Sequence, residues 1–234
     1  MFHIDILAMI ISHKYRFIFI KTEKTAGTSV EIALSKYLGE NDVITPLSPE
    51  DEHSRKQKGY RGAQNYFAPF ARYTMGDWAR FFLKKNRVAF YNHVSAEFVR
   101  RWIGKQTWES YFKFCFERNP WDKAVSFYFW RNPTEPRPTI SEFIQRGGAN
   151  SILGFDLYAS KGQLLVDRVG KYEDLQEEMK AVASIVGLPE TPHLPHAKSK
   201  TRSTRGYRAV LTEADRLKIG QVFAREIAYF GYQW

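Results

Sequence analysis

The stretch FIFIKTEKTAGTSVEIALSKYL, residues 17–38, decides how this chain is read. Its first four residues, Phe17, Ile18, Phe19 and Ile20, are all apolar, as suits a short strand buried on both faces. Residues 21–27 then mix two lysines, two threonines and one glycine, the composition of a turn. Val30, Ala33, Leu34, Tyr37 and Leu38 follow at helical spacing on one face. That spacing predicts a helix starting near Thr28, with its unpaired backbone N–H groups aimed back into the turn. Hydroxyls and an ammonium beside such a helix start make a candidate anion site.

Outward from this stretch, composition sets bounds. The 234 residues, 44% hydrophobic and 16% aromatic, are enough to fill a substantial core. The formal charge of +10, from 35 basic and 25 acidic residues, favours an anionic ligand, a polyanionic substrate or nucleic acid without choosing among them. Cys115 is the single cysteine, so no intrachain disulfide is possible, and its aromatic neighbours suit a buried filler. Residues 4–11 form an apolar run broken by Asp5, too short to span a bilayer and without a basic leader. An edge strand or docking segment is expected there, and no transmembrane segment.

Further along, residues 39–63 are polar and loop-like, residues 66–82 aromatic and partly helical, and residues 87–91 (RVAFY) suggest a second buried strand. His93 follows where ligands bind in α/β sheets, at the C-terminal end of that strand. Ser95 is placed to cap a helix carrying Phe98, Val99, Trp102 and Ile103. Residues 111–117 (YFKFCFE) are a third strand candidate. Behind it Asn119 fits an N-cap and Pro120 the first helical position. Arg118 precedes that helix and Ser126 lies about two turns in, so a guanidinium folded along the first turn could share a phosphate with Ser126. Residues 132–138 break the helix, and residues 139–145 form a short one. A fourth strand within 164–172, a helix over 173–186 ended by Gly187, and a last helix started by Thr212 complete the series. His193 and His196 lie among prolines without helical ligand spacing, so no metal site is expected.

Three of these blocks resemble one family. The run Lys24-Thr25-Ala26-Gly27-Thr28-Ser29 is not a Walker loop, which places its lysine after the last glycine. It resembles the 5′-phosphosulfate loop of sulfotransferases, closest to the carbohydrate sulfotransferase branch (sulfotransferase family 2-like). One departure is Glu23, where the branch usually has proline; a carboxylate facing a sulfate would repel it, so Glu23 is expected to point away. His93-Val94-Ser95-Ala96 looks like the branch's catalytic-histidine motif, and Arg118 to Ser126 like its 3′-phosphate motif. The basic run holding Lys198, Lys200 and Arg202 looks like the late loop that closes over the nucleotide.

The resemblance implies an α/β fold: a P-loop-like three-layer sandwich with a central parallel sheet flanked by helices. It also implies one sulfotransferase domain over residues 1–234, with acceptor-side insertions at about 39–85 and 131–161. The donor would be 3′-phosphoadenosine-5′-phosphosulfate (PAPS), with no metal, and the acceptor a hydroxyl or amine of a carbohydrate or glycolipid, not nucleic acid. His93 would be the general base and Lys24 the second catalytic residue. Lys24, Thr25, Ala26, Gly27, Thr28, Ser29, Arg118, Ser126, Lys200 and Arg202 would hold the nucleotide. A cytoplasmic, bacterial enzyme is the expectation. Two rival classes are a P-loop small-molecule kinase, which should show Gly-Lys-Ser/Thr and an acidic magnesium ligand, and a non-catalytic polyanion or RNA binder using the net charge.

Overall fold

The computed structural model describes residues 9–90, 93–194 and 206–234. In chain order its strands and helices are β1 (Ile10–Ser12), β2 (Phe17–Phe19), α1 (Gly27–Ser35), β3 (Val43–Ile44), α2 (Pro49–Gln57), α3 (Met75–Lys84), α4 (Ala96–Ile103), α5 (Lys105–Ser110), β4 (Phe112–Glu117), α6 (Pro120–Arg131), α7 (Ile140–Gln145), β5 (Ala159–Ser160), β6 (Gln163–Leu164), β7 (Arg168–Lys171), α8 (Leu175–Val186), α9 (Glu213–Val222) and α10 (Ala224–Phe230). The main sheet has five strands in the order β3-β1-β2-β4-β7, and β5 and β6 form a separate hairpin.

The fold is α/β with a mixed sheet, not the wholly parallel one expected. β2, β4 and β7 are parallel neighbours, whereas β1 pairs antiparallel with both β2 and β3. The reason is connection length: β1 and β2 are joined by only four residues, which permits a hairpin and forbids a crossover. β1 therefore lies inside the sheet, between β3 and β2, rather than at its edge.

Alternation along the strands supplies two cores. Phe17 and Phe19 of β2 and Phe114 and Phe116 of β4 meet Val30 and Leu34 of α1 and Met179 and Val182 of α8. On the other face Ile18, Ile20 and Cys115 pack with Val99 and Trp102 of α4, Trp108 of α5, and Phe155 and Tyr158. Burial raises the Cys115 thiol well above its usual range, in keeping with filler. A third cluster joins α6, α7 and α9 through Trp121, Ile144, Ile219 and Phe223.

Many expected boundaries appear where capping chemistry places them. Asn119 accepts from the backbone N–H groups of Trp121 and Asp122, and Ser95, Thr139 and Thr212 cap α4, α7 and α9. The last helix is divided, because α9 ends at Phe223 and α10 begins there. Two readings are corrected. RVAFY is not a sheet strand: Val88 and Phe90 exchange backbone hydrogen bonds with Tyr66 and Ala68, outside the main sheet, and Tyr91 lies outside the described residues. The polar 39–63 segment contains α2, started by Ser48 and Pro49. No helix among the described residues is long and apolar enough to cross a membrane.

Candidate active site

The three parallel strands end on one side of the sheet, and their exits meet. β2 leads into residues 20–26, β4 into Arg118, and β7 into Tyr172. Arg118 ties the three together: its Nη1 donates to the main-chain oxygen of Lys24 at 2.8 Å, and its guanidinium lies over the Tyr172 ring at 4.2 Å. Ligands of open α/β sheets bind outside such strand ends.

His93 stands at the same place. Its Nδ1 lies 3.1 Å from the Lys21 carbonyl oxygen. A carbonyl can only accept, so Nδ1 carries the hydrogen and the neutral ring leaves the Nε2 lone pair available. Burial, then the charge of Lys21, lowers its pKa to about 3, with Lys123 and Lys24 adding to the effect and the Lys21 carbonyl opposing it. The ring is therefore an imidazole, not an imidazolium, at neutral pH. Nε2 lies 4.0 Å from Glu23 Oε1, and Glu23 Oε2 accepts from the Leu153 backbone N–H at 2.7 Å. Glu23 thus turns toward the histidine.

The turn before α1 is built on unusual backbone. Lys24 and Ala26 have φ of 60° and 59°, and His93 has φ of 49°, all in the left-handed region that disfavours side-chain-bearing residues. Three such residues near one strand exit mark a place where conformation is held by its surroundings. Lys24, Ala26 and Thr28 are partly open to solvent, whereas Thr25, Gly27 and Ser29 are buried. Thr25 lies 2.9 Å, hydroxyl to hydroxyl, from Thr22, so its side chain braces the turn rather than lining an opening. Unlike α2, α3, α4, α6, α7 and α9, helix α1 has no side-chain cap: its N-cap is Ala26, and its first turn contains no acidic residue. Its leading N–H groups therefore meet no side-chain acceptor from the cap position, as is also the case in α5, α8 and α10.

Gly27 has a separate steric cause. A Cβ there would stand 2.5 Å from Cγ of Lys21, so the lysine chain crosses the first turn of α1 where a side chain would otherwise sit. Lys21 then donates to Thr28 Oγ1 at 3.0 Å and to Glu31 Oε2 at 2.9 Å. Glu31 is fully buried, and desolvation raises its pKa against the pull of Lys21. The Lys24 ammonium reaches over the Trp130 ring of α6 at 5.1 Å.

On the far side, Arg118 Nε and Nη2 both engage Asp122 Oδ2, at 2.8 and 2.6 Å. With the bond to Lys24 this engages three of the five guanidinium N–H groups. Ser126 lies half-buried on α6, about 9 Å of helix beyond Pro120. Beneath them Glu117 accepts from Lys123 Nζ at 2.8 Å and from the Tyr158 hydroxyl at 3.0 Å, all three fully buried.

The structure therefore gathers Lys24, the 25–29 turn, His93 and Arg118, with Ser126 farther along α6. Lys200 and Arg202, together with Lys198 and His196, lie outside the described residues. Among the described residues no group of three or more His, Cys, Asp or Glu side chains could hold a metal ion. Sequence reading missed Lys21, Glu23 as the histidine's neighbour, Tyr172, and the Glu117–Lys123 pair. The available signal for Lys21 was a lysine ending an apolar strand and followed six positions later by glycine.

No family model matches the chain. A protein of Archaeoglobus fulgidus, described only as uncharacterized, is 32% identical over 123 residues, which are half of this chain and the whole of that protein. The two chains belong to one family.

Proposed function

We propose that this chain is a PAPS-dependent sulfotransferase acting on a hydroxyl, or an amine, of a carbohydrate-type acceptor, with a P-loop-like arrangement of its first strand, turn and helix. The observation that carries this reading is the neutral His93 imidazole, pinned by Lys21 and opening its Nε2 beside an uncapped helix start and a lysine. A P-loop kinase is less well served, since the turn lacks Gly-Lys-Ser/Thr. A polyanion binder has no use for a buried, oriented base.

The roles follow from charge and geometry. The acceptor oxygen attacks sulfur in line with the bond to the 5′-phosphate oxygen; that bond breaks, its electrons leave with the nucleotide, and the acceptor proton passes to His93 Nε2. Catalysis of such group transfers is mostly positioning and charge stabilisation. The α1 amides, Thr28 and Lys24 are suited to the sulfate end, where negative charge grows on the leaving oxygen. The Arg118 guanidinium, with Ser126, suits the 3′-phosphate. Glu23 is 4.0 Å from Nε2 and favours the imidazolium once it forms.

A base with a pKa of about 3 is weak for an alcohol. Burial is the larger cause of that depression and the lysines the lesser, so a bound donor's negative charge opposes the lysines' part and moves the His93 pKa upward. The test combines calorimetry of 3′-phosphoadenosine-5′-phosphate, ATP and AMP with labelled-sulfate transfer to a glycan panel. Preference for the 3′-phosphorylated nucleotide and His93-dependent transfer support the reading. Equal affinity for all three nucleotides, or transfer that survives His93→Ala, sinks it.

A further inference from the structure

Helix α3 leaves an apolar face without cover. Met75, Phe82 and Leu83 are 87%, 71% and 84% exposed. At 100° per residue they fall, with the exposed Ala79, on one arc of about 100°. The opposite side of the helix holds the protein contacts. Trp78 stacks on Phe70 at 5.5 Å, Phe81 meets Phe70 edge-on at 5.4 Å, and Asp77 is bound by its Thr74 capping box and by Arg101 at 3.8 Å. The outward arc is therefore surplus to folding.

Its surroundings are cationic. Between Trp78 and Ala96 the sequence has four basic residues, Arg80, Lys84, Lys85 and Arg87, and no acidic one. All four are exposed. Arg87 lies over the Phe67 and Phe70 rings at 4.4 and 4.6 Å, which fixes it beside the helix. Asp77, the one carboxylate of α3, is buried and presents no charge outward. An apolar arc of Met, Phe and Leu rimmed by Lys and Arg is the pattern of a helix lying in a membrane–water interface. A two-fold contact with a second copy would set these four cations against the same four. A soluble polyanion would use the cations but leave Met75 and Leu83 idle.

We propose that α3 docks this protein onto an anionic lipid surface, with Met75, Phe82 and Leu83 entering the headgroup boundary and Arg80, Lys84, Lys85 and Arg87 meeting lipid phosphates. α3 reaches the C-terminal half of α4, the helix that His93 precedes, through Asp77 and Arg101, and the segment before α3 does so through Tyr73 and Trp102. Docking depends on this surface and not on the chemistry at His93.

The experiment is co-sedimentation of the full chain with phosphatidylcholine vesicles, with and without phosphatidylglycerol, in the absence of nucleotide. Partition onto the phosphatidylglycerol vesicles alone is expected. A Met75→Ser/Leu83→Ser double variant, altered only at exposed positions and checked for fold by circular dichroism, should lose about tenfold or more of that partition. Lys84→Ala/Lys85→Ala should lose a similar amount at low salt and less at high salt. Four results overturn the proposal. The wild type stays in solution; the double variant binds like wild type; or sedimentation velocity shows a self-associating chain, dispersed by the double variant, that ignores vesicles. Binding to heparin but not to vesicles, unchanged in the double variant, also overturns it.

Discussion

The imidazole of His93 hangs from the main-chain oxygen of Lys21, Nδ1 to O at 3.1 Å, although the two residues are 72 positions apart. The proposed base is thereby aligned by the strand exit that also carries the turn proposed to hold the donor. Replacing His93 with Gln should keep a donor for that oxygen and remove the base. Turnover is expected to fall about 10²- to 10⁴-fold. Affinity for 3′-phosphoadenosine-5′-phosphate, measured by calorimetry, should stay within about twofold, because the histidine carries none of the proposed phosphate contacts.

The depressed His93 pKa has a consequence for stability, with a definite sign. An unfolded histidine takes up its proton near pH 6.5, whereas the native one resists until about 3. Its contribution is complete above pH 6.5 and is lost as pH falls through that window, at up to about 1.4 kcal/mol per pH unit. Urea titrations of wild type and His93→Gln should therefore converge, or cross in the variant's favour, between pH 6 and 4. NMR of the ring should show the pKa rising when the nucleotide is added, as the field of Lys21, Lys24 and Lys123 is offset.

Glu23→Gln separates binding from chemistry. Removing a carboxylate 4.0 Å from Nε2 takes away the group that favours the imidazolium. Steady-state kinetics should show kcat lowered by about tenfold, with nucleotide affinity unchanged or improved.

Gly27→Ala is expected to be costly for a steric reason. The new methyl group would press within 2.5 Å of Lys21 Cγ and displace the ammonium from Thr28 and from buried Glu31. A buried carboxylate without its cation costs about 3–5 kcal/mol, read as a lowered denaturation midpoint. Glu31→Gln in the same background should recover part of the loss, since it removes the buried charge left without its cation.

Arg118→Lys tests the link between strand exits. A lysine cannot bond the Lys24 oxygen and Asp122 together while keeping donors for a phosphate. Weaker nucleotide affinity, by about tenfold or more, is expected. Lys123→Met beneath it should destabilise the chain by about 3 kcal/mol through Glu117, and Glu117→Gln should return part of that.

What could be read beforehand followed from local signals. Four apolar residues, a small-residue turn and helical spacing were enough to place β2, the turn and α1. Asn119-Pro120, Ser95, Thr139 and Thr212 marked helix starts because their side chains satisfy backbone N–H groups wherever they occur. α2 had no such legibility: its PEDEHSRKQ sequence has no apolar stripe, and its buried residue is Arg55. RVAFY has the composition of a strand, but composition does not say which neighbour it will pair with. Nothing in the sequence set Lys21 or Lys123 apart as buried, since burial with Glu31 and Glu117 is a tertiary fact. His93 and Arg118 were singled out by sequence, and the fold brings their loops together.

Lys21 holds two objects at once, the ring of His93 by its backbone and the floor of the turn by its side chain. Whatever draws the turn inward therefore tows the imidazole along with it. In the proposed reaction the donor's charge and the histidine that would take the proton are therefore coupled through the same segment. For the proposed sulfotransferase, the mechanical link between donor site and base would run through this one residue.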